Sequence, residues 1–265
     1  MCATCGCGDD AGVRVTTVGH DGHTHDHDHD HDRSDDADRA RTVVLEQRIL
    51  AKNDHLAEHN RTWLAARSCV LVNLMSAPGS GKTTLLEHTI AEAALPLGVI
   101  EGDQETLVDA QRIEAAGCPV VQINTGAGCH LDADMTARGL RALDPRPGSV
   151  VVVENVGNLV CPALFDLGET RRVVIMSTTE GPDKPFKYPQ MFVGADLVLI
   201  NKIDLLPHLD VTLEQIVGNV RAVAPAAELL PVSAIRGEGM AHWYGWLERL
   251  APASGQPAES ASDNR

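Results

Sequence analysis

A chain of 265 residues with 43% apolar residues is long enough to bury one sizeable core. Only 3% of residues are aromatic and the formal net charge is −15, which argues against nucleic acid and against an anionic membrane as partners. No run reaches the roughly 18 apolar residues of a membrane span, and no apolar leader opens the chain, so a cytoplasmic protein with reduced cysteines is expected.

The chain begins MCATCGCG, with Cys2, Cys5 and Cys7 inside six residues. Three thiolates, with the terminal amine, can surround one Ni²⁺ or Zn²⁺ ion without a folded scaffold; the plainer reading is a set of incidental thiols. His20, His23, His25, His27, His29 and His31 follow within twelve residues, the last four alternating with Asp. Such a stretch has little apolar surface to offset the entropy of ordering, but it offers many nitrogen and oxygen ligands. It reads as a metal-storage tract, against the alternative of a solvated acidic linker. Residues 1–40, with ten Asp against three Arg, are thus expected to form a disordered metal-binding tail.

From Arg41 to about Arg67 the pattern turns helical, with Val44, Leu45, Ile49, Leu56, Trp63 and Leu64 at helical spacing. Short apolar runs then alternate with helical stretches. Strands are expected at CVLVNLMS, GVIEGD, PVVQIN, SVVVVEN, RRVVIMST and DLVLINK, with a last short one near ELLPVS. Helices are expected at 83–95, 104–116, 131–143, 211–222 and 239–250. This alternation predicts an α/β fold, a mostly parallel sheet covered by helices on both faces, over residues 41–250. The end, from about Ala251, is rich in Pro, Ser and Gly and is expected to fray.

The stretch SAPGSGKTTLL follows one expected strand and opens a helix, the setting of a P-loop. Ser76 stands where a strict P-loop has its first Gly. Backbone N–H groups over Gly79, Ser80, Gly81, Lys82, Thr83 and Thr84 are expected to cradle phosphates at a helix N-terminus. Lys82 is expected to reach the β- and γ-phosphates, and Thr83 to ligate Mg²⁺. Asn201-Lys202-Ile203-Asp204 ends a later strand. The Asp204 carboxylate can accept from both N1–H and the 2-amino group of guanine, which adenine lacks, so GTP is preferred to ATP. Asn201 and Lys202 would brace that loop, and Ser233 with Ala234 would complete the base pocket.

Two further strand ends are acidic. Asp103 closes VIEGD, and Glu154 opens Glu-Asn-Val-Gly157. With Lys82 they are the candidate catalytic set: Glu154 and Asp103 hold Mg²⁺ or a water, and Gly157 gives its N–H to the γ-phosphate. No Arg is obviously placed as a finger, so slow intrinsic turnover is expected. Cys129 and His130 are adjacent, and Cys161 lies four residues past Gly157. These three suit Ni²⁺ or Zn²⁺, although small buried thiols often pack without metal. Cys69 and Cys118 read as core residues.

With these residues in place, the sequence resembles the HypB family of nickel-incorporation GTPases. CATCGCG, SAPGSGKTTLL, IEGDQET, INTGAGCHLDADM, ENVGNLVCP, TTEGPDKPFKYPQMF and NKIDLL carry the resemblance, over residues 1–8 and about 40–250. It implies a P-loop GTPase fold of the dimeric class and a nucleotide-dependent homodimer. It also implies a small zinc- and nickel-binding partner, and nickel loading into the precursor of the [NiFe]-hydrogenase large subunit. Cys2, Cys5 and Cys7 would be the high-affinity nickel site of some members. Cys129, His130 and Cys161 would be a weaker nickel or zinc site at the dimer interface. The His/Asp tract resembles a storage insert, and Ser76 agrees with the family. The urease GTPase is the nearest competitor, but its metal motif is Cys-Pro-His. A passive storage protein is disfavoured by the intact Lys82, Thr83 and Asp204.

Overall fold

Among the described residues, seven apolar runs become strands, and every pairing between these strands is parallel: β1 (Val70–Ser76), β2 (Leu97–Asp103), β3 (Val120–Asn124), β4 (Val150–Glu154), β5 (Arg171–Ser177), β6 (Leu197–Asn201) and β7 (Glu228–Pro231). The computed structural model describes residues 34–103, 108–126 and 128–251. Cys2, Cys5, Cys7, the six tail histidines and the segment after Ala251 lie outside the described residues. The sheet order is β3-β2-β4-β1-β5-β6-β7. A parallel strand cannot return by a tight hairpin, so helical crossovers join the strands and all their C-terminal ends share one edge.

The helices are α1 (Ser34–Ala65), α2 (Lys82–Glu92), α3 (Val108–Ala115), α4 (Ala133–Leu143), α5 (Cys161–Leu164), α6 (Lys184–Lys187), α7 (Pro189–Val193), α8 (Leu213–Val223) and α9 (Met240–Leu250). The chain divides into two units, Met1–Lys52 and Asn53–Arg265. The described part of the first is the opening of α1. In the second, β1 is buried along its whole length. Val72 and Leu74 face Leu85 of α2 and Trp243 of α9. Leu71 faces the other side with Leu64 of α1 and Leu140 of α4, while Met75 joins Phe192 and Ile216 of α7 and α8. Each such side chain contributes about 1.5–3 kcal/mol by leaving water, so the strand that carries the P-loop is firmly anchored.

Four differences from the sequence reading have local causes. α1 starts at Ser34 rather than Arg41, so residues 34–40 of the expected tail are helical. The run Ser-Asp-Asp-Ala-Asp suits the positive end of a helix dipole. α2 stops at Glu92, not at 95, because Pro96 disfavours helical backbone before it. Within the expected helix 104–116 the described part is α3, and 104–107 lie outside the described residues. The helices α5, α6 and α7 were not expected; at four or five residues they are too short for an apolar period to register. Among the described residues, no helix is long and apolar enough to cross a membrane.

Candidate functional site

A cleft of about 610 Å³ opens at the C-terminal edge of the sheet. Its floor is the turn between β1 and α2. Gly79 and Gly81 hold positive φ, 72° and 99°, which any side chain would strain. Lys82 Nζ donates to Ser76 Oγ at 2.9 Å. The serine that departs from the strict P-loop thus gives the lysine a resting partner. Thr83 Oγ1 donates to Glu154 Oε1 at 2.8 Å. Gly79, Gly81, Lys82, Thr83 and Thr84 line the cleft. The Ser80 side chain points instead into the protein, its single O–H shared between Ala77 O and Glu180 Oε1, each 2.8 Å away.

At the base end, the buried Asn201 clamps three loops. Its amide donates to Ser80 O at 2.9 Å, and its oxygen accepts from Lys202 N at 2.8 Å and Ala234 N at 3.1 Å. Lys202 Nζ donates to Gly79 O at 2.7 Å. Asp204, Ala234 and the exposed Ile235 line the cleft. Ser233 is fully buried and does not; its hydroxyl donates to Asp204 Oδ1 at 2.6 Å. Ser233 therefore sets the carboxylate rather than touching a base.

At the phosphate end three carboxylates converge: Glu101, Asp109 and Glu154, with ligand oxygens within 4.8 Å of one another. Asp103 lines the same cleft at the end of β2 but is not one of the three. Glu101 and Glu154 are register partners across β2 and β4. Each has one buried oxygen, Oε2, that no donor reaches. Burial, and then the Glu154 charge, push the Glu101 carboxyl up to about 10. Burial also raises Glu154, against the pull of Lys82 and Thr83. Two buried acids side by side disfavour a second negative charge, and this drives Glu101 toward its protonated form against the opposing pull of Lys82. An all-oxygen set with unmet acceptors fits a hard divalent cation such as Mg²⁺. Arg112 also lines the cleft, gripped by Glu87 through Nε at 2.9 Å and Nη2 at 2.6 Å, with Asp109 at 3.3 Å. The sequence pattern alone does not place this arginine at the cleft.

Cys129, His130 and Cys161 come together, their ligand atoms within 4.8 Å. The two Sγ atoms are 2.8 Å apart, and Cys129 Sγ is 3.7 Å from His130 Nδ1. Burial pushes the His130 imidazole below its usual value, which favours the neutral, ligating form. Its ring stacks on Phe165 at 3.9 Å between centroids. Cys69 and Cys118 are buried elsewhere, and burial raises the Cys118 thiol to about 11.

One segment joins this cluster to the cleft. Glu154 opens it, and Cys161 closes it. At its middle, a Cβ on Gly157 would crowd Pro78, 3.1 Å from its Cα, so the loop lies tightly on the P-loop and a side chain there would press the two apart by a few tenths of an ångström. Two asparagines clip the segment to the loop that carries Cys129 and His130. Asn155 Oδ1 accepts from Leu131 N at 3.2 Å, and Asn158 Nδ2 donates to Cys129 O at 3.2 Å. Neither was singled out in the sequence, where each is one polar residue in a loop.

The CobW/HypB/UreG nucleotide-binding domain family matches residues 70–231. The hydrogenase maturation factor HypB of Azotobacter vinelandii is 55% identical over 213 residues, covering 80% of this chain and 70% of that protein. The chain belongs to the HypB family. The Escherichia coli HypB is 51% identical over 210 residues, 78% of this chain and 72% of that one. A crystal structure of HypB from Archaeoglobus fulgidus superposes with a TM-score of 0.71 at 38% identity, covering 76% of this chain and 99% of that one. HypB from Helicobacter pylori, solved in complex with nickel, gives 0.70 at 32% identity, covering 77% of this chain and 100% of that one. The matched HypB domain includes the P-loop, the three carboxylates, the thiol cluster and the Asn201–Asp204 loop; Ser233 and Ala234 fall just past it.

Proposed function

We propose that this protein is a GTP-hydrolysing nickel metallochaperone that delivers nickel during maturation of [NiFe]-hydrogenase, its nucleotide state controlling metal transfer. The carrying observation is the segment Glu154–Cys161, which belongs to the phosphate end of the cleft at one terminus and to the thiol cluster at the other. Asp204, held by Ser233, selects guanine. Lys82 leaves Ser76 to neutralise the β- and γ-phosphates, and the P-loop N–H groups orient them. Thr83, Glu154, Glu101 and Asp109 would hold Mg²⁺, which supplies charge neutralisation at the phosphates when bound. Asp103, at the cleft rim, orients the attacking water. Gly157 offers its N–H to the γ-phosphate and moves when that group leaves.

Nickel is the cargo, bound by Cys129, His130 and Cys161 with Zn²⁺ as a competitor of suitable chemistry. Cys2, Cys5 and Cys7 form a tighter thiolate site, and the six tail histidines a store. The reading includes a nucleotide-dependent homodimer, a small zinc- and nickel-binding partner, the hydrogenase large-subunit precursor as client, and a cytoplasmic setting that keeps thiols reduced. Support comes from the family, the nickel complex of a HypB relative and the Asp204 carboxylate, an acceptor matched to the N1–H and 2-amino donors of guanine. A strain lacking the gene, complemented with Lys82→Ala or Cys161→Ala, tests it through hydrogenase activity. Neither variant should restore activity at low nickel. Full activity from both would overturn the reading.

A further inference from the structure

His55 and His59 stand one turn apart on α1, inside the unit Asn53–Arg265. The i, i+4 spacing places both rings on one face of the helix. Their Nε2 atoms are 3.3 Å apart and the rings are nearly perpendicular, at 88°. Two imidazoles reach that separation in two ways. One Nε2–H donates to the other ring's lone pair, or both lone pairs point at one cation. An ion about 2.05 Å from both nitrogens would subtend an angle of roughly 107°, close to tetrahedral.

The backbone under the pair is held on both sides. Asn53 donates to Asp166 O at 2.8 Å and accepts from Ala133 N at 2.9 Å. Asn60 donates to Ala133 O at 2.8 Å and Leu167 O at 2.9 Å. Next to it, Arg61 grips both oxygens of Asp166, at 2.7 and 2.6 Å. These bonds fix the rise and rotation of the turn that spaces the rings, so little order remains to be imposed on binding. Both histidines are exposed and border a groove of about 320 Å³ that also contains Asp134 of α4. Asp134 forms an ion pair with Arg138 at 2.5 Å and Arg141 lines the same groove, so the charge around the pair is balanced and the two imidazoles themselves carry the site.

We propose that His55 and His59 form a surface site for one borderline divalent transition-metal ion, Ni²⁺ or Zn²⁺, with water completing its shell. Two neutral imidazoles suit such ions better than Mg²⁺ or Ca²⁺. An open, exposed, two-imidazole site exchanges its ion readily. It is distinct from the Cys129–His130–Cys161 cluster, and it stands whether or not the nickel-delivery reading holds.

The test uses the full-length chain with Cys2, Cys5 and Cys7 changed to Ser and the six tail histidines to Gln, which removes the strongest competitors. Ni²⁺ and Zn²⁺ are titrated calorimetrically into this protein and into His55→Gln, His59→Gln and the double variant. The exposed His242→Gln serves as control. Each single variant should lose one bound ion, or bind it at least about tenfold more weakly. The double variant should be no worse than the singles, because the ligands share one ion, and His242→Gln should match the parent. In the unsubstituted rings, followed by ¹⁵N NMR with Zn²⁺, His55 and His59 should shift together and saturate at one equivalent. Unfolding temperature and GTP turnover report that the variants remain folded. Unchanged stoichiometry and affinity in both singles, or ring signals that move independently, would overturn the proposal.

Discussion

The two ends of the cleft differ in how fully their polar groups are met. At the base end, Asn201 serves three loops, and Ser233 already holds Asp204. At the phosphate end, Glu101 and Glu154 each bury an oxygen that no donor reaches, and burial, with the Glu154 charge beside it, raises Glu101 to about 10. In the proposed function, the base end is preorganised to read identity. The phosphate end has acceptors left unmet, and on the same proposal a ligand's charge there acts on the surrounding loops. The thiol cluster hangs from that unfinished end, by the segment Glu154–Cys161 and its two asparagines.

The sharpest way to break this contrast is at Lys82. We predict that Lys82→Ala lowers GTP turnover at least about 100-fold, since a charge-stabilising donor at the transition state is lost. Normal hydrolysis in a phosphate-release assay would remove Lys82 from the phosphate site. At the base end, Asp204→Asn should weaken GTP by about 1.5–3 kcal/mol, roughly 10- to 150-fold, and favour xanthosine triphosphate. Equal affinity for GTP by calorimetry would contradict the placement of Asp204. Ser233→Ala should cost less, about 0.5–1.5 kcal/mol in GTP binding, because Ser233 only sets the carboxylate. A loss as large as that of Asp204→Asn would mean that Ser233 meets the base itself.

The smallest effect concerns pH. The folded-state value of Glu101 lies above its usual 4.5, so folding takes up a proton. That contribution to stability is complete below about 4.5 and is lost as pH rises toward about 10. Metal-free, nucleotide-free protein should therefore unfold at a lower temperature at alkaline pH than near neutrality. Glu101→Gln should flatten the dependence by about 2–4 °C for each kcal/mol involved. Parallel melting curves for the variant and the parent across pH would contradict a proton held at Glu101.

Much of this site was legible because its signals are local. SAPGSGKTT and NKID each carry their chemistry within one strand–loop unit, and the structure brings them to one cleft. The carboxylate set was legible only in part. In VIEGD, Glu101 and Asp103 share a strand face, and nothing in the strand says which meets Glu154. The β2–β4 register decides for Glu101, and register is a long-range property. Asp109 and Arg112 sit on α3, which meets α2 through buried Ile113 and through the Arg112–Glu87 pair, and an ion pair between residues 25 apart is not written in the local sequence. The same holds for Asn155 and Asn158, whose partners lie on the β3–α4 loop. The expectation of a slow enzyme rested on finding no arginine near the phosphates; Arg112 lines the cleft but is held by Glu87 and Asp109.

The central claim is that the Glu154–Cys161 segment couples the phosphate end to the thiol cluster. Coupling of this kind is reciprocal and ordinarily amounts to about 1–3 kcal/mol, roughly 5–150-fold. The direct measurement is Ni²⁺ affinity of full-length protein with Cys2, Cys5 and Cys7 changed to Ser and the tail histidines to Gln, in GDP and in a non-hydrolysable GTP analogue. The same titrations are repeated with Cys161→Ala. The account predicts affinities that differ between the two nucleotides, and a Cys161→Ala protein that binds weakly and equally in both. Equal nickel affinity in both nucleotides, with Cys161 intact, would contradict it and leave two independent sites on one chain.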